Sequence, residues 1–142
     1  MKIARLLALG SFLSSCGGGG GASGIPEADA CNQAAKAACQ KVYACDAAIA
    51  AQAFGTEAQC EAMILASCGT TGFECAGTEA YHGDKAQMCK DQFTALSCTT
   101  LTNAVLPVLL GGGSLTGAFT AVTQTVPPCG QICTGGIDAG RG

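Results

Sequence analysis

The chain has 142 residues and a net charge of −3, and only 12% of its residues are charged, against about 25% in ordinary globular domains. An acidic chain without interleaved basic and aromatic residues lacks the electrostatic footprint of a nucleic-acid-binding protein. The length suits one folded domain. Trp is absent and aromatic residues make up 5%, whereas Ala, Gly and Cys are abundant. Because small side chains bury little area, we expect covalent constraints to contribute to stability.

The first fifteen residues have the pattern of an export signal. Two basic residues precede an apolar run at residues 6–13. This run is too short to span a bilayer, since a spanning helix needs about 20 residues. A basic start followed by a short apolar stretch and small residues is typical of a secretory signal peptide.

The end of this signal resembles the lipobox of bacterial lipoproteins, in which an aliphatic residue and two small residues precede a cysteine. Leu13, Ser14 and Ser15 stand in the positions that the signal peptidase recognises, and Cys16 stands in the lipidated position. The resemblance implies a protein anchored to a membrane through acyl chains on Cys16, since two or three chains anchor stably. Gly17, where lipoproteins of the inner membrane often carry Asp, favours the outer membrane. The alternative is an ordinary secreted protein that loses Cys16 with its signal.

These features predict four regions. They are a signal peptide (1–15), a lipidated cysteine with a Gly-rich tether (16–25), a disulfide-rich helical domain (26–135) and a flexible C-terminal tail (136–142). The tether has no strand before it and no Gly-Lys-Ser/Thr after it, so it does not fit a phosphate-binding loop.

The chain has eleven cysteines, an odd number, and an odd cysteine in an exported protein needs an explanation. Lipidation of Cys16 supplies one. Because export places the remaining ten in an oxidising compartment, we expect them to form five disulfides.

Three long helices are expected in the domain. Pro26 suits the first turn of a helix, and the Ala-rich stretch after it contains no Gly or Pro up to Gly55. Thr56 and Gln59 form a capping-box pattern that begins a second helix. A third helix has a weak point at Gly83. The predicted helices cover residues 28–53, 57–67 and 78–98, with a loop at 69–77, and the predicted fold class is an all-α, disulfide-stapled helical bundle with short apolar helices at its C-terminal end.

The first two helices should lie antiparallel, because a short turn joins them. Facing cysteines would then be equidistant from the turn, and three pairs share a midpoint near residue 53: Cys31–Cys75, Cys39–Cys68 and Cys45–Cys60. If the other four cysteines also form nested bridges, the pairs are Cys98–Cys129 and Cys89–Cys133. Spacing alone does not fix connectivity, so other pairings stay open.

Residues 92–137 contain no charged side chain. The most apolar part, Ala104 to Val122, has three interpretations: a membrane span, shallow insertion into a membrane, or two short segments packed over the Ala-rich helices. Pro107 and the glycines at 111–113 argue against a span, and no basic residues flank it. We therefore expect packing of residues 101–110 and 115–126, with core side chains from Val105, Leu106, Val108, Leu109, Leu115, Phe119 and Val122.

No residue set predicts a catalytic site, a metal site or a cofactor. His82 is the only histidine, in a charged segment, and Glu57 and Glu61 have the spacing of a solvated helix face. Cys129 and Cys133 are separated by three residues, unlike the C-x-x-C of redox sites. A redox or enzymatic function would gain support only if one of these two thiols were free.

The body of the chain also weakly resembles small cysteine-rich lipoproteins of Gram-negative bacteria, whose function is unknown, in its C-x₇-C-x₅-C helix, turn and C-x₇-C. This likeness implies no activity. The leading hypothesis is a non-enzymatic envelope lipoprotein with a structural or binding role, its partners being the membrane and an envelope protein or lipid. The alternative is a carrier that holds an apolar ligand in a cavity between the helices and residues 101–126, lined by Met63, Leu65, Leu106 and Phe119.

Overall fold

The computed structural model describes residues 24–68, 75–110 and 114–134. The described chain is mostly helical, which confirms the predicted all-α class. The helices are α1 (Glu27–Cys45), α2 (Ala47–Phe54), α3 (Glu57–Ala66), α4 (Gly83–Ala95), α5 (Cys98–Ala104), α6 (Leu106–Leu110) and α7 (Leu115–Thr125), followed by a 3-10 helix (Pro127–Gln131). Two short strands, β1 (Ala80–Tyr81) and β2 (Cys133–Thr134), form an antiparallel pair.

The predicted first helix over residues 28–53 is wrong, because Asp46 divides it into α1 and α2. The Asp46 backbone is extended, with φ −156° and ψ 90°. Its carboxylate accepts hydrogen bonds from the backbone N–H groups of Ala48 (3.1 Å) and Ile49 (2.9 Å), so Asp46 is the N-cap of α2. Aspartate prefers this position because it satisfies N–H groups that have no partner inside the helix.

The capping box at the start of α3 is confirmed. The Gln59 N–H donates to Thr56 Oγ1 (3.2 Å), and the Thr56 N–H donates to Gln59 Oε1 (2.8 Å). Gly55 joins α2 to α3 with φ +82°, a backbone region that favours glycine. The connection between α1 and α3 is therefore a helix followed by a sharp turn.

The third helix begins later than predicted. Residues 80–81 form β1, and α4 starts at Gly83. A Cβ at Gly83 would lie 2.6 Å from the Ile25 carbonyl oxygen, and the Ile25 N–H donates to the Gly83 carbonyl (3.1 Å). Glycine at position 83 thus lets the start of the domain pack directly against α4.

The apolar segment packs over the Ala-rich helices, as predicted. One core cluster joins Leu101, Val105 and Leu106 to the buried face of α1, and its buried members are Cys39, Val42, Ala50, Phe54, Cys60, Phe93, Leu101, Val105, Leu106 and Ala118. Val108 and Val122 pack at its margin, whereas the structure describes only the backbone of Leu109 and Leu115. None of the described helices is long and apolar enough to cross a membrane.

A second cluster closes the other end of the domain. It brings Ile25 and α4 against the 3-10 helix, and its buried members are Ile25, Ala30, Ala86, Cys89, Val126, Cys129 and Ile132.

All ten cysteines of the domain are disulfide-bonded, so the predicted number of bridges is right. The bridges are Cys31–Cys68, Cys39–Cys60, Cys45–Cys98, Cys75–Cys133 and Cys89–Cys129, with Cα–Cα distances of 4.7 to 6.1 Å. These distances lie in the usual range for disulfides. The predicted pairs Cys31–Cys75, Cys39–Cys68, Cys45–Cys60, Cys98–Cys129 and Cys89–Cys133 are all wrong.

The error is one of register. The bridges between α1 and α3 are nested, as expected for antiparallel helices, but their midpoint lies between residues 49 and 50 and not at 53, because α2 itself occupies the connection. Cys45 is therefore left without a facing cysteine on α3. It pairs instead with Cys98. Cys98 is the first residue of α5, whereas the prediction placed it at the end of the third helix.

Candidate functional site

An apolar cavity of about 120 Å³ lies between α1, α3, α4 and α7 and is partly open to solvent. Small or apolar side chains make up most of its wall. The lining residues are Ile25, Ala30, Ala34, Ala37, Ala38, Val42, Phe54, Cys60, Ile64, Ser67, Ala86, Cys89, Lys90, Phe93, Val105, Ala118, Phe119 and Val122.

The alanines of α1 are the reason that this space stays unfilled. Ala30, Ala34, Ala37 and Ala38 recur at the spacing of one helix face, and all four line the cavity. A methyl group is too short to reach the opposite wall. Close packing fills most protein interiors, so a face of alanines opposite larger side chains leaves a space between the helices.

Disulfides hold the walls of this cavity in place. Cys60 lines the cavity and joins α3 to Cys39 of α1. Cys89 lines it from α4 and is bonded to Cys129 of the 3-10 helix. The space is therefore built into a cross-linked framework, which resists the collapse that commonly reduces a void in a core.

The wall is almost entirely apolar. Ser67 and Lys90 are its only polar residues among those described. The Ser67 hydroxyl donates to the Ile64 carbonyl (2.9 Å), and the Lys90 ammonium donates to Gln33 Oε1 (3.1 Å). No buried side-chain N or O atom in the described part of the chain lacks a hydrogen-bond partner.

The size of the cavity suits a small apolar group. An engineered apolar cavity of about 150 Å³ in another protein stays free of water and binds benzene. A space of about 120 Å³ with an apolar wall therefore suits a short alkyl chain or one small ring.

Of the four residues predicted to line such a cavity, only Phe119 does so. Leu106 is 2% exposed and belongs to the filled core, whereas Met63 and Leu65 are 42% and 40% exposed on α3. The prediction missed the alanines of α1, although their spacing was a readable signal. Large apolar residues fill the core in this fold, and the small residues of α1 leave the space.

The other residues considered in the sequence lie apart from this cavity. His82 Nε2 contacts Thr134 Oγ1 at 2.5 Å, beside the β1–β2 pair. Cys129 and Cys133 are bonded to two different cysteines. Within residues 24–68, 75–110 and 114–134, no cluster of His, Cys, Asp or Glu could hold a metal ion.

Tyr81 anchors the start of the domain to β1. Its hydroxyl donates to the Ile25 carbonyl (2.8 Å). Burial, and then the negative charge of Glu27, raises the pKa of the Tyr81 phenol above its usual range. The neutral form is therefore favoured in the folded state.

Known proteins supply no assignment: no family model, no curated protein and no solved structure matches the chain. The residues of the predicted signal and anchor, Leu13 to Cys16, lie outside the described part of the structure. The cavity is thus the feature of the described structure that bears most directly on function.

Proposed function

We propose that this chain is a non-enzymatic lipoprotein of the bacterial envelope whose helical domain binds a small apolar ligand. The observation that carries the binding function is the apolar cavity between α1, α3, α4 and α7. A preformed concave site with an apolar wall is the usual form of a small-molecule site.

The cross-linked framework supports binding because it keeps the site preformed. A ligand that enters such a site does not have to order its walls, and avoiding this cost raises affinity. Each methylene group moved from water into the cavity contributes about 0.8 kcal/mol, which corresponds to about a fourfold gain in affinity. Affinity should therefore rise with chain length until the cavity is full.

The lipid anchor is supported by the cysteine count. Ten of the eleven cysteines pair with one another in the domain. Cys16 is the remaining one, and it stands in the lipobox position after Leu13, Ser14 and Ser15. In this proposal the acyl chains on Cys16 bind the outer membrane, and the Gly-rich stretch at 16–25 connects the anchor to the domain.

The binding function is tested by filling the cavity. Ala118 lines it and is 6% exposed, so Ala118→Leu places a larger side chain in the space. Calorimetric titration of the wild-type protein with hexan-1-ol should show saturable binding that Ala118→Leu weakens at least tenfold. Gln124→Leu is the matched control, because it adds the same side chain at an exposed position of α7 and should leave binding unchanged.

Absence of saturable binding to the wild-type protein would refute the function. Equal binding by Ala118→Leu would also refute it, because the ligand would then occupy another place. Circular dichroism checks that the variant is folded. If it is not, Ala34→Leu fills the same cavity from α1 and should give the same loss of binding.

The anchor is tested by the mass of the intact protein purified from bacterial membranes. We expect a diacylglyceryl adduct on Cys16 and a gain of ten hydrogen atoms on reduction, two for each of the five bridges. A mature chain without lipid, or Cys16 in a disulfide, would contradict it.

A further inference from the structure

Positive charge is concentrated beside the cavity, although the chain as a whole is acidic. The lysines of the described residues are Lys36, Lys41, Lys85 and Lys90. Three of these four lie along the seam between α1 and α4. Lys36 and Lys90 line a groove there, together with Gln33, Ala37, Gln40 and Thr94. The Lys41 ammonium donates to the Thr94 carbonyl (2.9 Å).

Lys90 connects this groove to the apolar cavity. It lines both spaces, as Ala37 does from α1. A lysine in this position lays its methylene stem along an apolar wall and keeps its ammonium at the polar edge. The cavity and the groove are therefore neighbouring parts of one amphipathic site, apolar inside and cationic at its mouth.

The ammonium of Lys90 has a neutral partner and no carboxylate. It donates to Gln33 Oε1 (3.1 Å), and an ammonium has three N–H groups to donate. In the described part of the chain the single ion pair is Lys85–Asp84, and neither residue lines the groove. Among the described residues, the half-buried Lys90 ammonium beside the apolar cavity thus forms no ion pair.

We infer that the ligand is a small monocarboxylic acid. Its hydrocarbon part fills the apolar cavity, and its carboxylate accepts hydrogen bonds from the Lys90 ammonium, with Lys36 adding positive charge across the groove. This inference rests on the proposed function, because it specifies the ligand of the same cavity. A charge-assisted hydrogen bond of this kind is about twice as strong as a neutral one.

The test compares two probes of the same chain length, hexanoate and hexan-1-ol, by calorimetric titration of the full chain at neutral pH. Wild-type protein should bind hexanoate about tenfold more tightly than hexan-1-ol, the gain typical of a hydrogen bond to a charged group. Lys90→Met should abolish this preference, so that the variant binds hexanoate no more tightly than hexan-1-ol.

Lys85→Met is the matched control. It removes the same charge from the same helix, α4, but Lys85 lines neither the cavity nor the groove, so the preference for hexanoate should remain. If Lys90→Met does not fold, Lys90→Gln keeps a polar side chain and should lose the preference in the same way.

The outcomes separate the two proposals. If hexan-1-ol and hexanoate bind the wild type equally, or if Lys85→Met loses the preference as fully as Lys90→Met does, the acid-binding inference is overturned while the apolar site stands. If neither probe binds, the proposed function fails as well.

Discussion

The buried bridge Cys39–Cys60 should contribute more to stability than the longer bridge Cys45–Cys98. Cys39–Cys60 has a sequence separation of 21. Removing it stabilises the unfolded chain by about 3.4 kcal/mol, because the loop is no longer closed and the chain gains conformational entropy. Both cysteines are also buried, at 0% and 1% exposure. Replacing them by alanine removes two buried atoms at about 1 kcal/mol each, so Cys39→Ala/Cys60→Ala should lose about 5 kcal/mol.

The double variant Cys45→Ala/Cys98→Ala is the comparison. Its larger separation of 53 predicts about 4.2 kcal/mol from loop entropy alone. Cys98 is exposed and Cys45 is only partly buried, so little packing is lost. The buried bridge should therefore cost about 1 kcal/mol more in spite of its shorter loop.

Chemical denaturation of the three proteins, monitored by circular dichroism, gives the free energies of unfolding. A larger loss for Cys45→Ala/Cys98→Ala would refute the reasoning, because chain entropy would then outweigh the packing of the buried sulfurs. If a variant shows no folded baseline, its loss of free energy of unfolding is taken to be at least the whole free energy of unfolding of the wild type.

Three further substitutions test local structure by denaturation. Asp46→Ala removes the N-cap of α2 and should cost about 1 kcal/mol, whereas no loss would contradict the cap. Gly55→Ala places a Cβ 2.2 Å from Gln59 Oε1 at a positive φ, so it should cost at least about 1 kcal/mol, and a neutral effect would contradict the turn. Tyr81→Phe should cost about 1 kcal/mol at neutral pH. In wild-type protein the raised phenol pKa should make the free energy of unfolding fall as pH rises above the usual phenol range, because the folded state keeps a proton that the unfolded state has lost. A decline of the same steepness in Tyr81→Phe would contradict this.

Local signals in the sequence predicted local structure well. Thr56 and Gln59 marked the start of α3, because a capping box satisfies N–H groups within four residues and needs no distant partner. Asp46 carried a similar signal for α2, but the alanines around it favour a helix on both sides and obscured the break. The strands β1 and β2 have two residues each, too few to show any alternation.

The disulfide pairs and the cavity could not be predicted in the same way, since both depend on the placement of distant segments. A shift of the helical connection by a few residues moved the partners of Cys31 and Cys39 to the preceding cysteine of the chain and left Cys45 to pair with Cys98. The apolar segment at 101–126 packs over α1 as its composition implied. The path of α7 determines how much of the space above the α1 alanines the apolar segment fills. Phe119 is the one predicted lining residue that this path brings to the cavity.

The central claim, that the space between α1, α3, α4 and α7 binds an apolar ligand, is tested most directly by NMR of alanine methyl groups during titration with hexan-1-ol. The claim predicts saturable shifts for Ala34, Ala38 and Ala118, which line the cavity, and none for Ala47 and Ala48, which are exposed on α2. Shifts that are absent, or that affect both groups equally and without saturation, would contradict it.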